Sequence, residues 1–190
     1  MSRDELTLDE LQVLVEVAER SVHIAVIERR TWYPDPDEHP SALREPGAAF
    51  VTLRRAGRLM GCIGTMAALD PLVVTVADRA RAAALDDPRF PGITASDLPD
   101  LDVSVSVLSP MEPIPVRDYE ELLVTIRPGI DGLLVDAGYH RATFLPSVWD
   151  ELADPATFVE ALWRKAGLAP AVWPAATRIS RYTAQHAQRE

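Results

Sequence analysis

Apolar residues recur along this chain with two periods, and each period predicts a different element. Leu11, Leu14, Val15, Ala18, Val22 and Ala25 fall three and four positions apart, the stripe of a helix with one face on a core, while Glu16, Glu19 and Arg20 take the wet face. Thr7-Leu8-Asp9-Glu10 opens this helix as a capping box, and Pro34, Pro36 and Pro40 place its end near Arg30. A second helix is predicted from Asp70 as N-cap with Pro71 in its first turn. Val73, Val76, Ala77, Ala80, Ala83 and Ala84 form its packing stripe, and Asp86-Asp87-Pro88-Arg89-Phe90-Pro91 stops it. A third begins at Asp154-Pro155, is buried through Phe158, Ala161, Leu162 and Ala166, and stops at Gly167.

Period two marks the strands. Leu101, Val103, Val105 and Val107 alternate with Asp102, Ser104 and Ser106, the pattern of a half-buried strand. Ala48 to Arg54 reads as another, turning through Arg55-Ala56-Gly57-Arg58 into a return strand from Leu59 to Gly64. After a short helix at Tyr119 to Leu123, strands are predicted at Val124 to Arg127, Gly132 to Asp136, His140 to Phe144 and Arg178 to Tyr182. Pro34 to Pro46 keeps no apolar period and reads as a mobile connection. Helices and strands mix without βαβ alternation, so the expected class is α+β, a mainly antiparallel sheet with flanking helices.

Composition changes the picture mostly by exclusion. A chain of 190 residues can bury one core or two packed subdomains. The formal charge of −10 argues against broad nucleic-acid binding and against an anionic membrane surface. No apolar run reaches the length of a membrane span, and Met1 to Glu5 lacks the form of a signal peptide, so a cytosolic location is expected. One cysteine permits no internal disulfide, and His23, His39, His140 and His186 show no ligand spacing. With no dinucleotide fingerprint either, neither a metal nor an organic cofactor is expected.

Several segments, in order, resemble the AMMECR family, also known as protein A of the AmmeMemoRadiSam system. They are Phe50-Val51-Thr52-Leu53, then Gly57 through Gly64 against a family pattern Leu-Arg-Gly-Cys-Ile-Gly, Asp87-Pro88-Arg89-Phe90 and Ser106-Val107-Leu108-Ser109-Pro110. Asp131-Gly132-Leu133, Phe144-Leu145-Pro146-Ser147-Val148-Trp149 and Lys165-Ala166-Gly167-Leu168 follow, and together they cover Ala48 to Trp173 within a single domain of 190 residues. The resemblance implies two subdomains with a cleft between them, no established activity, and association with a Memo-like protein and a radical S-adenosylmethionine protein. Met60 stands where the family pattern has arginine. By period two, Arg58 is on the same strand face and is the candidate to replace it.

The candidate chemistry centres on Cys62, the only cysteine, set among Gly57, Gly61 and Gly64. In one reading Cys62 is a nucleophile, His140 its base and Asp131 the carboxylate that orients the base, since a thiol reacts as thiolate and needs such help. Arg58, Gly61, Gly64 and Arg89 are then the candidate substrate-binding residues, Arg89 through its planar fork. In the other reading Cys62 is structural, Arg89 pairs with Asp86 or Asp87, and the chain binds partners, with Trp149, Trp163 and Trp173 as candidate anchors, of which Trp163, on a helix, is expected mostly to pack. Ser104, Ser106 and Ser109 read as the polar face of a strand rather than as nucleophiles.

Overall fold

The computed structural model describes residues 5–169 and 172–189. They fall into two compact units, one running to Leu108 and regaining the chain at Gln185, the other formed by Ser109–Ala184. The class is α+β.

In the first unit the capping box forms as expected: the Glu10 amide donates to Thr7 Oγ1 at 3.2 Å, and the Thr7 amide donates to Glu10 Oε2 at 2.9 Å. Helix α1 (Leu8–His23) buries Leu11, Leu14, Val15, Ala18 and Val22, and passes into a π-helical turn, Ile24–Glu28. It ends at Arg29, whose φ of 54° lies in the left-handed region. The connection from Pro34 to Pro46 holds two short helical turns. It carries a 3-10 turn, Pro36–Glu38, with the Asp35 carboxylate accepting from the Asp37 amide, and a short helix α2, Ser41–Arg44. Leu43 on α2 is fully buried, an anchor too isolated to show a period.

Strands β1 (Ala49–Arg55) and β2 (Arg58–Gly64) form the expected hairpin, with positive φ at Ala56 and Gly57 matching the twist of the strands. Helix α3 (Leu72–Leu85) follows, and its N-cap is Pro71, so Asp70 stands one place earlier than expected. Asp70 does not cap α3; its carbonyl accepts from the Gly47 amide at 3.1 Å. With β3 (Leu101–Leu108) and β8 (Ala184–Gln188) the sheet order is β2-β1-β3-β8. Val51, Leu53, Val103 and Val105 face α1 and α3 in one core with Leu14, Val73 and Val76. Strand β8 has no sequence signature, because Ala-Gln-His-Ala-Gln lacks both β-branched residues and apolar alternation.

The second unit holds β4 (Glu112–Ile114), α4 (Tyr119–Thr125), β5 (Gly132–Ala137), β6 (His140–Phe144), α5 (Pro155–Lys165) and β7 (Arg178–Tyr182), with antiparallel sheet order β4-β7-β5-β6. The strand expected at Val124 to Arg127 is absent. Asp118 caps α4 through the Glu121 amide and the helix runs through Val124 to Thr125, leaving Val124 85% exposed. Helix propensity set by a cap overrides the preference of one β-branched residue here. Trp149 stacks on Phe158 with ring centres 3.8 Å apart, and Trp163 packs against Tyr119 and Trp173. Trp163 packs in the core as expected of a helix residue, and Trp149 is buried too, which removes it as a partner anchor.

Candidate functional site

The β1–β2 hairpin positions Cys62 through its register. Thr52 stands opposite Cys62, Phe50 opposite Gly64 and Leu53 opposite Gly61. Ile63 and Gly61 are bonded to β1, so the peptide N–H and C=O of Cys62 point the other way, off the open edge of the sheet. Such outward groups on an edge strand seek another strand unless something covers them. The turn after α3 supplies that cover. The Cys62 amide donates to Asp87 Oδ2 at 2.9 Å, and Arg89 Nη2 donates to the Cys62 carbonyl at 3.1 Å. Asp87 and Arg89 are themselves joined by two parallel bonds, Nε to Oδ1 at 2.9 Å and Nη2 to Oδ2 at 2.7 Å, and the Arg89 amide also donates to Oδ1. A carboxylate and a guanidinium thus take the place of a neighbouring strand at Cys62.

The electrostatics follow from burial. The Asp87 side chain is 2% exposed and that of Arg89 is 57% exposed. Bonding to the Arg89 guanidinium holds the Asp87 carboxyl far below the usual carboxylate range against the opposing effect of burial, helped by the Cys62 and Arg89 amides. The same pairing raises the Arg89 pKa. Arg89 was expected either to grip an anionic substrate or to pair with a neighbouring aspartate. Its fork is occupied by Asp87, and the plainer alternative is the one observed.

The thiol lies on the sheet face opposite α1 and α3. It is partly exposed, and Thr52 Oγ1 donates a hydrogen bond to Sγ at 3.2 Å, a contact made by the closely spaced pairing of these two residues. Along the same face stand Ser104, which donates to the Thr52 carbonyl, and Ser106, hydrogen-bonded to His186 Nδ1 at 3.3 Å. The strand serines are the polar face expected of them. His186 was not expected there, since β8 itself was not.

Arg58 does not reach this face. Between the pairs Leu53·Gly61 and Arg54·Leu59 the register shifts, which leaves Met60 as the extra residue of a β-bulge. The alternation reverses across it. Cys62 and Gly64 share a face with Thr52 and Phe50, whereas Arg58 stands opposite Arg55, on the other parity of β1. Met60 packs against the core. Gly61 and Gly64 are explained by packing: a Cβ on Gly61 would lie 2.1 Å from the Ala83 carbonyl oxygen of α3, and one on Gly64 2.2 Å from the Phe50 ring. The glycines let α3 and Phe50 approach the strand.

His140 and Asp131 belong to the other unit, Ser109–Ala184, and do not form a pair there. Asp131 is fully buried and bound by Arg127 through Nε at 3.0 Å and Nη2 at 2.6 Å, while its carbonyl accepts from Trp149 Nε1 at 2.7 Å. It fastens the turn between α4 and β5. His140 stands opposite Ala137 at the far end of the β5–β6 hairpin, about 20 Å along the strand from Asp131. Its Nδ1 is 2.9 Å from the Ala166 carbonyl, so that nitrogen carries the proton. The orienting role expected of Asp131 is overturned by this geometry. Among the described residues no group of three or more His, Cys, Asp and Glu side chains is placed to hold a metal ion, and no helix is long and apolar enough to cross a membrane. A groove of about 860 Å³ bordered by Arg20, His23, Arg54 and Asp102 does not include Cys62.

The arrangement defines an α+β protein whose one thiol stands partly exposed on the sheet face away from its helices while its peptide groups are locked by a carboxylate–guanidinium fork. Comparison with known proteins gives its family. The AMMECR1 profile matches residues 15–187, and the chain belongs to that family. A protein of Methanothermobacter thermautotrophicus is 40% identical over 152 residues, 79% of each chain. One from Thermofilum pendens is 38% identical over 192 residues, covering 95% of this chain and 90% of its own. The crystal structure of uncharacterized protein PH0010 from Pyrococcus horikoshii superposes with a TM-score of 0.90 at 33% identity, covering 97% of this chain and 94% of its own.

Proposed function

We propose that the chain is a recognition component of a multi-protein system, presenting the sheet face around Cys62 to a small molecule or a partner protein. The observation that carries this reading is the division of labour at Cys62: Asp87 and Arg89 hold its backbone, and the side chain is left partly exposed with only the Thr52 hydroxyl bonded to it. Rigid elements that hold one side chain in a fixed pose suit binding, because little conformational entropy is then lost on contact. The unpaired thiol fits a reducing, cytosolic setting. The family resemblance supports a Memo-like protein and a radical S-adenosylmethionine protein as the partners. The test is pull-down of each purified candidate with the native chain and with Thr52→Val and Cys62→Ser. Retention by the native chain and loss in both variants supports the reading, and retention by all three overturns it.

A second reading, cysteine chemistry, is favoured by one observation, the hydrogen bond that Sγ accepts from Thr52 at a partly exposed position. Alkylation by iodoacetamide against pH tests it. A midpoint below about 7.5 that is lost in Cys62→Ser marks an activated thiolate, whereas a midpoint near 8.5 marks an ordinary thiol.

A further inference from the structure

The chain is strongly acidic, yet one end of the second unit is not. The β5–β6 hairpin turns through Gly138, at φ 76°, and Tyr139, so that Tyr139 projects as a fully exposed aromatic, 105% by relative area. His140 and Arg141 beside it are exposed. On the sheet, Asp136 stands between Arg141 on β6 and Arg178 on β7, which places the two arginines about 10 Å apart with one carboxylate between them. Arg178 lies 3.5 Å from Asp136 and its side chain remains 79% exposed. The His140 bond to the Ala166 carbonyl lies on the α5 side of the sheet, whereas Asp136, Arg141 and Arg178 share the opposite face. Asp136 is the one carboxylate within segments 136–141 and 175–179.

We infer that this tip is a docking site for a short acidic segment of a partner protein. Exposed Tyr and Arg together are the residue types that carry binding energy at protein interfaces, and planar guanidinium forks match carboxylates. Size decides against a nucleic acid or a membrane as occupant. The basic patch is small, and the rest of a chain whose net charge is −10 repels any polyanion that extends past the tip by more than a Debye length, about 8–10 Å at moderate salt. A short acidic peptide stays within that range. The inference is independent of the Cys62 face, which lies in the other unit and whose failure would leave it standing.

Fluorescence anisotropy with a fluorescein-labelled peptide of about twelve Glu, Asp and Gly residues tests it against the full chain, with a Gln, Asn and Gly peptide as neutral control. Binding of the acidic peptide alone is expected, weakening about tenfold or more between roughly 50 and 200 mM salt. Arg141→Ser with Arg178→Ser should weaken it about tenfold, and Tyr139→Ala about threefold or more, while Arg30→Ser, in the other unit, leaves it unchanged. Tyr139 makes no packing contact that its removal would disturb, so that variant reports on binding even where the double variant is destabilised. Equal binding by the native chain and Tyr139→Ala, or tighter binding of a short DNA duplex or of phosphatidylserine vesicles through the same residues, overturns the inference.

Discussion

Removing Arg89 and removing Asp87 should not be equivalent, because the two partners differ in burial. In Arg89→Met the Asp87 carboxylate, 2% exposed in the native chain, loses the guanidinium and keeps only the amides of Cys62 and of position 89 as donors. Breaking a buried ion pair by deleting one member costs about 3–5 kcal/mol. The guanidinium is more than half exposed, so part of its attraction is screened, and about 2–3 kcal/mol is the expected cost near pH 7. In Asp87→Asn the guanidinium can be hydrated and the Asn side-chain oxygen can still accept from the Cys62 amide, so about 1–2 kcal/mol is expected. The double variant should cost less than the two single costs added, with a coupling of about 1–2 kcal/mol. Urea unfolding at several pH values is the assay, joined to hydrogen exchange of the Cys62 amide, which reports the local fork even if the two units unfold separately. The sign with pH is set by the depressed pKa of Asp87 in the folded state. Its stabilisation is fully present above about pH 5 and is lost as pH falls through the ordinary carboxylate value near 3.9 toward the folded one. In Arg89→Met this acid-side loss should shrink, because the carboxylate no longer has the guanidinium to depress its pKa. Costs below about 0.5 kcal/mol for Arg89→Met, or an unchanged acid limb and unchanged Cys62 exchange, would refute the fork as the element that holds the strand.

Gly61→Ala forces a Cβ to 2.1 Å from the Ala83 carbonyl oxygen, so β2 and α3 must separate; a loss of about 1–3 kcal/mol by thermal or urea unfolding is expected, and a neutral result would contradict the packing account. Leu43→Ala should cost about 2–5 kcal/mol, since the side chain is fully buried; a value near zero would show that the Pro34 to Pro46 connection is not anchored through it. Asp131→Asn should destabilise the Ser109–Ala184 unit without changing the pH dependence of Cys62 alkylation, and a shift in that profile would restore Asp131 to a role at the thiol.

The local determinants were legible without the fold. Thr7-x-x-Glu10 and Asp154 satisfy helix N-termini from within four residues, and the stripes on α1 and α3 and the alternation from Leu101 to Val107 depend only on backbone periods, so they appear in the structure as written. Val124 shows the limit of such reading, because a cap outweighed a single residue's preference. Leu43 and strand β8 were invisible for a different reason: one buried leucine has no period, and β8 owes its place to pairing partners that stand far away in sequence. The candidate site divides the same way. Cys62 between glycines and the Asp87-Pro88-Arg89-Phe90 turn could each be picked out along the chain, but that they meet, with Asp87 and Arg89 standing in for a neighbouring strand, required the end of α3 to be packed against β2. The bulge at Met60 sets Arg58 opposite Arg55 and off the face that carries Cys62, since one unpaired residue shifts a period of two by half its length. Capping and periodicity are properties of neighbouring residues and are written in their order; edge closure, register and the sharing of a face are properties of pairs brought together by burial, and only the tertiary structure decides them.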